Sequence, residues 1–202
     1  MFLKKLAMQA KMPSGLFGHF VANRMIKGNR PYSVFLLNEL KLRGNEKILE
    51  IGYGSGIGIK LLMEQNKSCS VYGIDFSELM YRKAGKLNKS YVDNNKVHLF
   101  CGDFLTSGIN TAEFDIIFCL NVIYFWDELS EPFTKIRTLL KENGTFHFYM
   151  AGKEELDNLK FATNNNIFNK RTIEQVTESL ASAGFHNINH IFEKGYYISA
   201  KK

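Results

Sequence analysis

Apolar and polar positions along this chain alternate between two periods. Short apolar runs near 47–51, 70–75, 96–101, 114–120 and 144–150 read as strands. Between them, apolar residues recur at helical spacing near 58–66, 77–90 and 128–141, with a weaker crossover at 104–112. Strand and helix in turn predict an α/β protein, doubly wound around a mostly parallel sheet. The helix at 128–141 meets a glycine stop at Lys141-Glu142-Asn143-Gly144. A later helix begins at Thr172 and ends at Gly184, and two more strands follow near 186–193 and 196–201. The run Asn164-Asn165-Asn166, with Asn169 close behind, marks a surface loop.

The amino-terminal segment has a different pattern. Phe2, Leu3, Leu6 and Ala10 share a helical face, and Pro13-Ser14-Gly15 breaks it. Leu16, Phe17, Phe20, Val21 and Met25 resume at helical spacing. Gly28-Asn29-Arg30-Pro31 predicts a second break before a helix from Tyr32 to Lys41. The chain therefore divides into a helical segment, 1–43, and an α/β domain, 44–202.

Charge sharpens this division. The net charge is +6, yet residues 1–47 hold nine Lys/Arg and two Glu, a net of +7, so the remainder sums to −1. Three readings of the segment follow: a lid over the site, padding at the sheet edge, or peripheral contact with anionic membrane. Hydrophobic content of 45% and charged content of 23% are ordinary for a globular protein. No apolar stretch approaches the ~20 residues that span a bilayer, and the first residues lack the apolar core and cleavage site of a signal peptide. Cys69, Cys101 and Cys119 sit in or beside buried strand patterns without a C-x-x-C pair. This predicts reduced core thiols in a cytoplasmic protein, with neither disulfide nor metal.

Chemistry concentrates at residues 47–58, where the run Ile48 to Ile51 stops at a turn with glycine at every second position. Glycine lets a backbone bend sharply and approach a ligand closely. Such a strand–turn–helix unit places a ligand at the carboxyl end of a parallel sheet. Dinucleotide binding asks for G-x-G-x-x-G, but the third glycine would fall at Ile57. A P-loop asks for G-K-[ST], and no Lys follows Gly56 or Gly58. What remains, E-x-G-x-G-x-G over Glu50, Gly52, Gly54 and Gly56, resembles the first motif of class I S-adenosylmethionine-dependent methyltransferases.

The other strand ends strengthen the resemblance. Asp75 ends the second run, 19 residues after Gly56, where an acidic side chain can accept from ribose hydroxyls. The stretch Gly73 to Met80 is similar to the family's second motif, with Ser77 able to cap the next helix. The third run ends in Gly102-Asp103-Phe104 and the fourth in Asn121-Val122-Ile123-Tyr124-Phe125-Trp126. The resemblance implies a Rossmann-like methyltransferase fold of seven strands, the last two a hairpin with one antiparallel strand, and S-adenosyl-L-methionine as cofactor. By the same resemblance Glu50 and the backbone from Gly52 to Gly56 hold the cofactor's amino-acid part, and Asp75 the ribose. Phe76 and Met80 pack on the adenine, Gly102, Asp103 and Phe104 fix its far edge, and Asn121 faces the methyl group.

Methyltransferases acting on nucleobase or amide nitrogens carry Asn/Asp-Pro-Pro-aromatic at the fourth strand end. Here Val122-Ile123 replaces Pro-Pro, which argues against nucleic acid and resembles the small-molecule and lipid branch. Tyr124 and Trp126 either line the substrate pocket or pack the next helix. No general base is assigned, since methyl transfer from a sulfonium proceeds largely by positioning and exclusion of water. Of the five histidines, His19 on the amino-terminal segment is the first candidate for the pocket. The expected function is methyl transfer to a small-molecule acceptor. The alternatives are a membrane-surface methyltransferase of a lipid or quinone precursor, and a non-catalytic S-adenosylmethionine-binding protein.

Overall fold

In the computed structural model, which describes residues 2–109, 113–163 and 166–202, the apolar runs join into one sheet. In chain order the elements are α1 (Phe2–Lys11), α2 (Gly15–Glu39), β1 (Lys47–Ile51), α3 (Ile57–Gln65), β2 (Ser70–Asp75), α4 (Glu78–Leu87), α5 (Lys89–Asp93) and β3 (Val97–Cys101). There follow β4 (Phe114–Leu120), α6 (Ser130–Leu139), β5 (Leu140–Met150), α7 (Lys153–Asn158), α8 (Ile173–Ser182), β6 (His186–Phe192) and β7 (Tyr196–Lys201).

The strand order is β3-β2-β1-β4-β5-β7-β6, with β7 antiparallel to both neighbours and the other pairs parallel. The expected seven-stranded, doubly wound sheet with amino-terminal helices is therefore present. Chain winding reverses at β1, whose neighbours are β2 on one side and β4 on the other. That reversal opens a crevice at the carboxyl ends of β1 and β4, the place where open α/β sheets bind ligands.

Two apolar layers hold the sheet. One face packs Leu36 and Leu37 of α2, Leu62 and Met63 of α3 and Ala84 of α4 against Ile48, Val71 and Phe118. The other packs Phe133 and Ile136 of α6 and Val176 and Leu180 of α8 against Leu49, Ile117, Phe146 and Phe148. Thr172 opens α8 with a reciprocal cap: its hydroxyl accepts from Gln175 N–H while the Gln175 side chain accepts from Thr172 N–H. Among the described residues, no helix is long and apolar enough to cross a membrane.

Several expectations need correction. The break at Gly28-Asn29-Arg30-Pro31 is absent, and α2 runs through it. Pro31 sits on the exposed side of the helix, where water can satisfy the carbonyl left without its N–H partner. On the other side Val21, Ala22, Leu36 and Leu37 are all buried, so packing holds both halves in line. The helix expected at 77–90 divides at Asn88, whose side chain turns inward to bond backbone carbonyls. β5 begins at Leu140 rather than 144, with its register against β4 shifted between Phe114 and Ile116. At the glycine stop, Asn143 takes the left-handed conformation, φ 67°. Cys101 is exposed on edge strand β3, unlike buried Cys69 and Cys119. The crossover at 104–112 shows no helix over 104–109, and 110–112 lie outside the described residues. So do Asn164 and Asn165 of the surface loop.

Candidate active site

The crevice at the sheet reversal is a partly open cavity of about 210 Å³. Its floor is the turn after β1, where three glycines have positive φ: Gly52 at 73°, Gly54 at 52° and Gly56 at 78°. These do different work. A Cβ on Gly54 would meet nothing within 4 Å, so this glycine leaves space open. A Cβ on Gly52 would strike Val122 at 2.5 Å. A Cβ on Gly56 would strike Ala84 and the Asn88 side chain at 2.8 and 2.6 Å. Gly56 does not line the cavity; it lets α3 start tightly against α4. Asn88, fully buried, donates to Gly56 O at 3.0 Å and fixes that start from behind.

Two buried carboxylates face the cavity. Asp75 stands between the glycine turn and α4: Oδ2 accepts from Gly54 N–H at 2.9 Å and Oδ1 from Ser77 N–H at 2.8 Å. Burial raises its pKa, against the lowering effect of those two bonds. Each oxygen keeps a second lone pair for a ligand hydroxyl. Glu50 lies deeper, and burial, helped by the Asp75 charge, pushes it up to about 8. Its Oε2 is buried without a hydrogen-bond partner, as is the hydroxyl of Ser55 nearby on the turn. A buried carboxylate oxygen left open in this way calls for a cationic or donating ligand group.

The other strand ends complete the wall. Phe76 and buried Met80 line the cavity beyond Asp75. Gly102, Asp103 and buried Phe104 line it from the end of β3. Asp103 is exposed and accepts from Leu105 N–H at 2.7 Å, so the aspartate also shapes its own turn. Lys135 of α6 secures that turn by donating to Phe104 O and Leu105 O at 2.7 and 2.9 Å. At the end of β4, Asn121 has φ 57° and projects into the cavity. Its Nδ2 donates to Asn29 Oδ1 of α2 at 3.3 Å, and its Oδ1 accepts from the buried Tyr124 hydroxyl.

Trp126 lines the cavity. Tyr124 does not; it acts through Asn121 from the core. His19 is exposed on the outer side of α2 and takes no part in the wall, and no histidine among the described residues does. Sequence reasoning offered a lid as one reading of this segment but assigned to the pocket none of its lining residues, Ala10, Lys11, Pro13, Ala22, Met25, Ile26, Asn29 and Ser33. It also missed Arg171, which donates to the carbonyls of Ile123, Trp126 and Asp127 and clamps the segment after β4 from outside.

The family profile described as "Methyltransferase domain" matches residues 49–148, which span β1 to β5 and carry the cavity floor. The chain belongs to the class I S-adenosylmethionine-dependent methyltransferases. Among curated relatives, it is 25% identical over 130 residues to the uncharacterized methyltransferase YdaC of Bacillus subtilis, covering 64% of this chain and 70% of that protein. It is 32% identical over 136 residues to protein-L-isoaspartate O-methyltransferase 2 of Shewanella sediminis, covering 67% of this chain and 52% of that one. Among solved structures, phosphoethanolamine N-methyltransferase 2 of Haemonchus contortus, in complex with S-adenosyl-L-methionine, aligns with a TM-score of 0.72. The identity there is 15%, over 85% of this chain and 52% of that one, a likeness of fold. The chain thus spans only about half the length of the last two.

S-adenosylmethionine, the cofactor of the family, suits the residues present. A methyltransferase of this class would place the cofactor's ammonium against the open Glu50 oxygen, its ribose hydroxyls at Asp75, and its backbone-hugging atoms over Gly54. The orphaned Glu50 oxygen and the free space over Gly54 are the structural reasons for that fit.

Proposed function

We propose that this methyltransferase acts on a small-molecule acceptor, which enters beside Asn121, Phe125 and Trp126. The observation that supports this reading is the inner wall built by α1 and α2. Lys11 donates to Phe125 O at 3.3 Å, Pro13 O accepts from the Ser77 hydroxyl at 2.6 Å, and Asn29 meets Asn121. These contacts tie residues 1–43, read as a lid, to the segments after two strands of the domain 44–202, β2 and β4. The walled, partly open space they leave, about 210 Å³, suits a compact acceptor better than a folded macromolecule.

When bound, S-adenosylmethionine supplies a methyl group already activated on a sulfonium. The chain's own work is then positioning and exclusion of water, with no acid–base group at the reacting centre. Asn121 holds a fixed amide, gripped at both ends, at the edge of the acceptor space. The Asp75 and Glu50 carboxylates orient the cofactor. Cytoplasmic location belongs to the same proposal, in keeping with the free thiols of Cys69, Cys101 and Cys119.

The test is transfer of labelled methyl from S-adenosylmethionine to a panel of small acceptors bearing oxygen, nitrogen, sulfur and activated carbon nucleophiles. Label incorporation that disappears in Gly54→Val supports the reading. Tight cofactor binding with no transfer to any small acceptor, while a protein or nucleic acid is labelled, overturns it.

A further inference from the structure

The wall of α1 and α2 has an outer side that the cavity does not use. Six of the fourteen exposed large apolar side chains among the described residues lie within residues 2–20. Leu16 is 91% exposed, Phe2 64% and Phe20 61%, with Leu3 and Met12 also open. On α2 the residues Leu16, Phe20, Arg24 and Lys27 follow at intervals of four, four and three, so they share one outward face. The face is apolar at the amino end of α2 and cationic further along. Lys4 and Lys5 add charge from exposed positions on α1. Residues 1–38 contain six Lys/Arg and no Asp or Glu.

We propose that this outer face of α1 and α2 docks the protein on an anionic lipid bilayer. Leu16, Phe20 and Phe2 enter the headgroup–acyl boundary, while Arg24, Lys27, Lys4 and Lys5 meet anionic headgroups. The charge argues for a bilayer over a second copy of the chain. A two-fold contact through this face would set an all-cationic segment against itself. A bilayer supplies both the apolar depth and the opposite charge. On α2 the docking residues and the cavity-lining Ala22, Met25, Ile26, Asn29 and Ser33 occupy different faces, so docking leaves the inner wall free.

The test is flotation of the full chain with phosphatidylcholine vesicles, with and without about a third of phosphatidylglycerol, at low and high salt. The expected result is capture by the anionic vesicles that weakens as salt rises. Leu16→Ser with Phe20→Ser should reduce partitioning by at least about tenfold at either salt. Arg24→Gln with Lys27→Gln should weaken it about fivefold per cation and flatten the salt dependence. Both double variants should keep the wild-type melting temperature and affinity for S-adenosylhomocysteine, because their side chains touch neither core nor cavity. Lost S-adenosylhomocysteine binding with intact flotation would count against the methyltransferase reading and not against docking. Docking is overturned if wild-type protein ignores anionic vesicles, or if the Leu16/Phe20 variant floats as well as wild type. Sedimentation showing a dimer that this variant dissolves, without vesicle binding, would assign the face to a second copy instead.

Discussion

Gly54 and Gly56, two residues apart in one motif, separate binding from folding. Gly54→Val should abolish binding of S-adenosylhomocysteine in calorimetry. It should lower stability only by the ~1–2 kcal/mol that a side chain costs in left-handed backbone. Gly56→Ala adds overlap with Ala84 and Asn88 to that strain and should lose about 2–4 kcal/mol of stability by denaturant unfolding. Equal loss of stability in both would refute the division of roles. Glu50 gives a pH signature. Its folded-state pKa is raised from 4.5 to about 8, so the folded protein holds a proton that the unfolded chain has released in between. Stability of the ligand-free protein should therefore contain a contribution that falls as pH rises from 4.5 to about 8. In Glu50→Gln that slope should flatten, as read from melting temperatures across the range. Parallel wild-type and variant curves would contradict it. At this scale the sequence was legible where chemistry and backbone geometry coincide. Glu50, Gly54 and Asp75 announce themselves by spacing, and all line the cavity. Asn88 does not, because an asparagine in a polar helix carries no mark of the carbonyl it will meet 32 residues away.

Elements were legible where periodicity is local. The seven strands follow from apolar runs, and the family resemblance, not periodicity, implied their closing hairpin with one antiparallel strand. The errors fall where tertiary packing decides. Pro31 marks a break by propensity, but the buried stripe on the far side of α2 carries the helix through. Reading a break there hid Asn29 and Ser33, which reach the cavity only from a continuous helix. Arg171 lies in a loop with no motif, and its role depends on carbonyls 44 to 48 residues away. Arg171→Ala should destabilise the protein by about 1.5–3 kcal/mol, the range for hydrogen bonds to a charged group. It should loosen the 123–127 segment enough to raise KM for the acceptor more than Kd for the cofactor, which steady-state kinetics beside calorimetry would show. Deleting residues 2–14 removes Ala10, Lys11 and Pro13 from the wall but leaves α2 and the sheet intact. Turnover should then fall more than cofactor affinity, since a lid that excludes water acts on the chemical step. Full activity in that truncation would mean the segment is padding.

At the scale of the molecule, charge and fold are divided between two parts of the chain. Residues 48–202 are nearly neutral in sum and carry the cavity floor, and the amino-terminal helices carry the basic charge, six of the fourteen exposed large apolar residues among those described, and the inner wall. The claim on which the rest depends is that the cavity at the β1/β4 reversal holds S-adenosylmethionine through Glu50, Gly54 and Asp75. Titration calorimetry of S-adenosylhomocysteine into wild type, Gly54→Val and Asp75→Asn tests it directly, with NAD as the control ligand. The expected result is stoichiometric binding by wild type and none by Gly54→Val. Asp75→Asn should bind about 10- to 150-fold more weakly, and NAD should give no signal. Unchanged S-adenosylhomocysteine affinity in both folded variants would contradict the assignment.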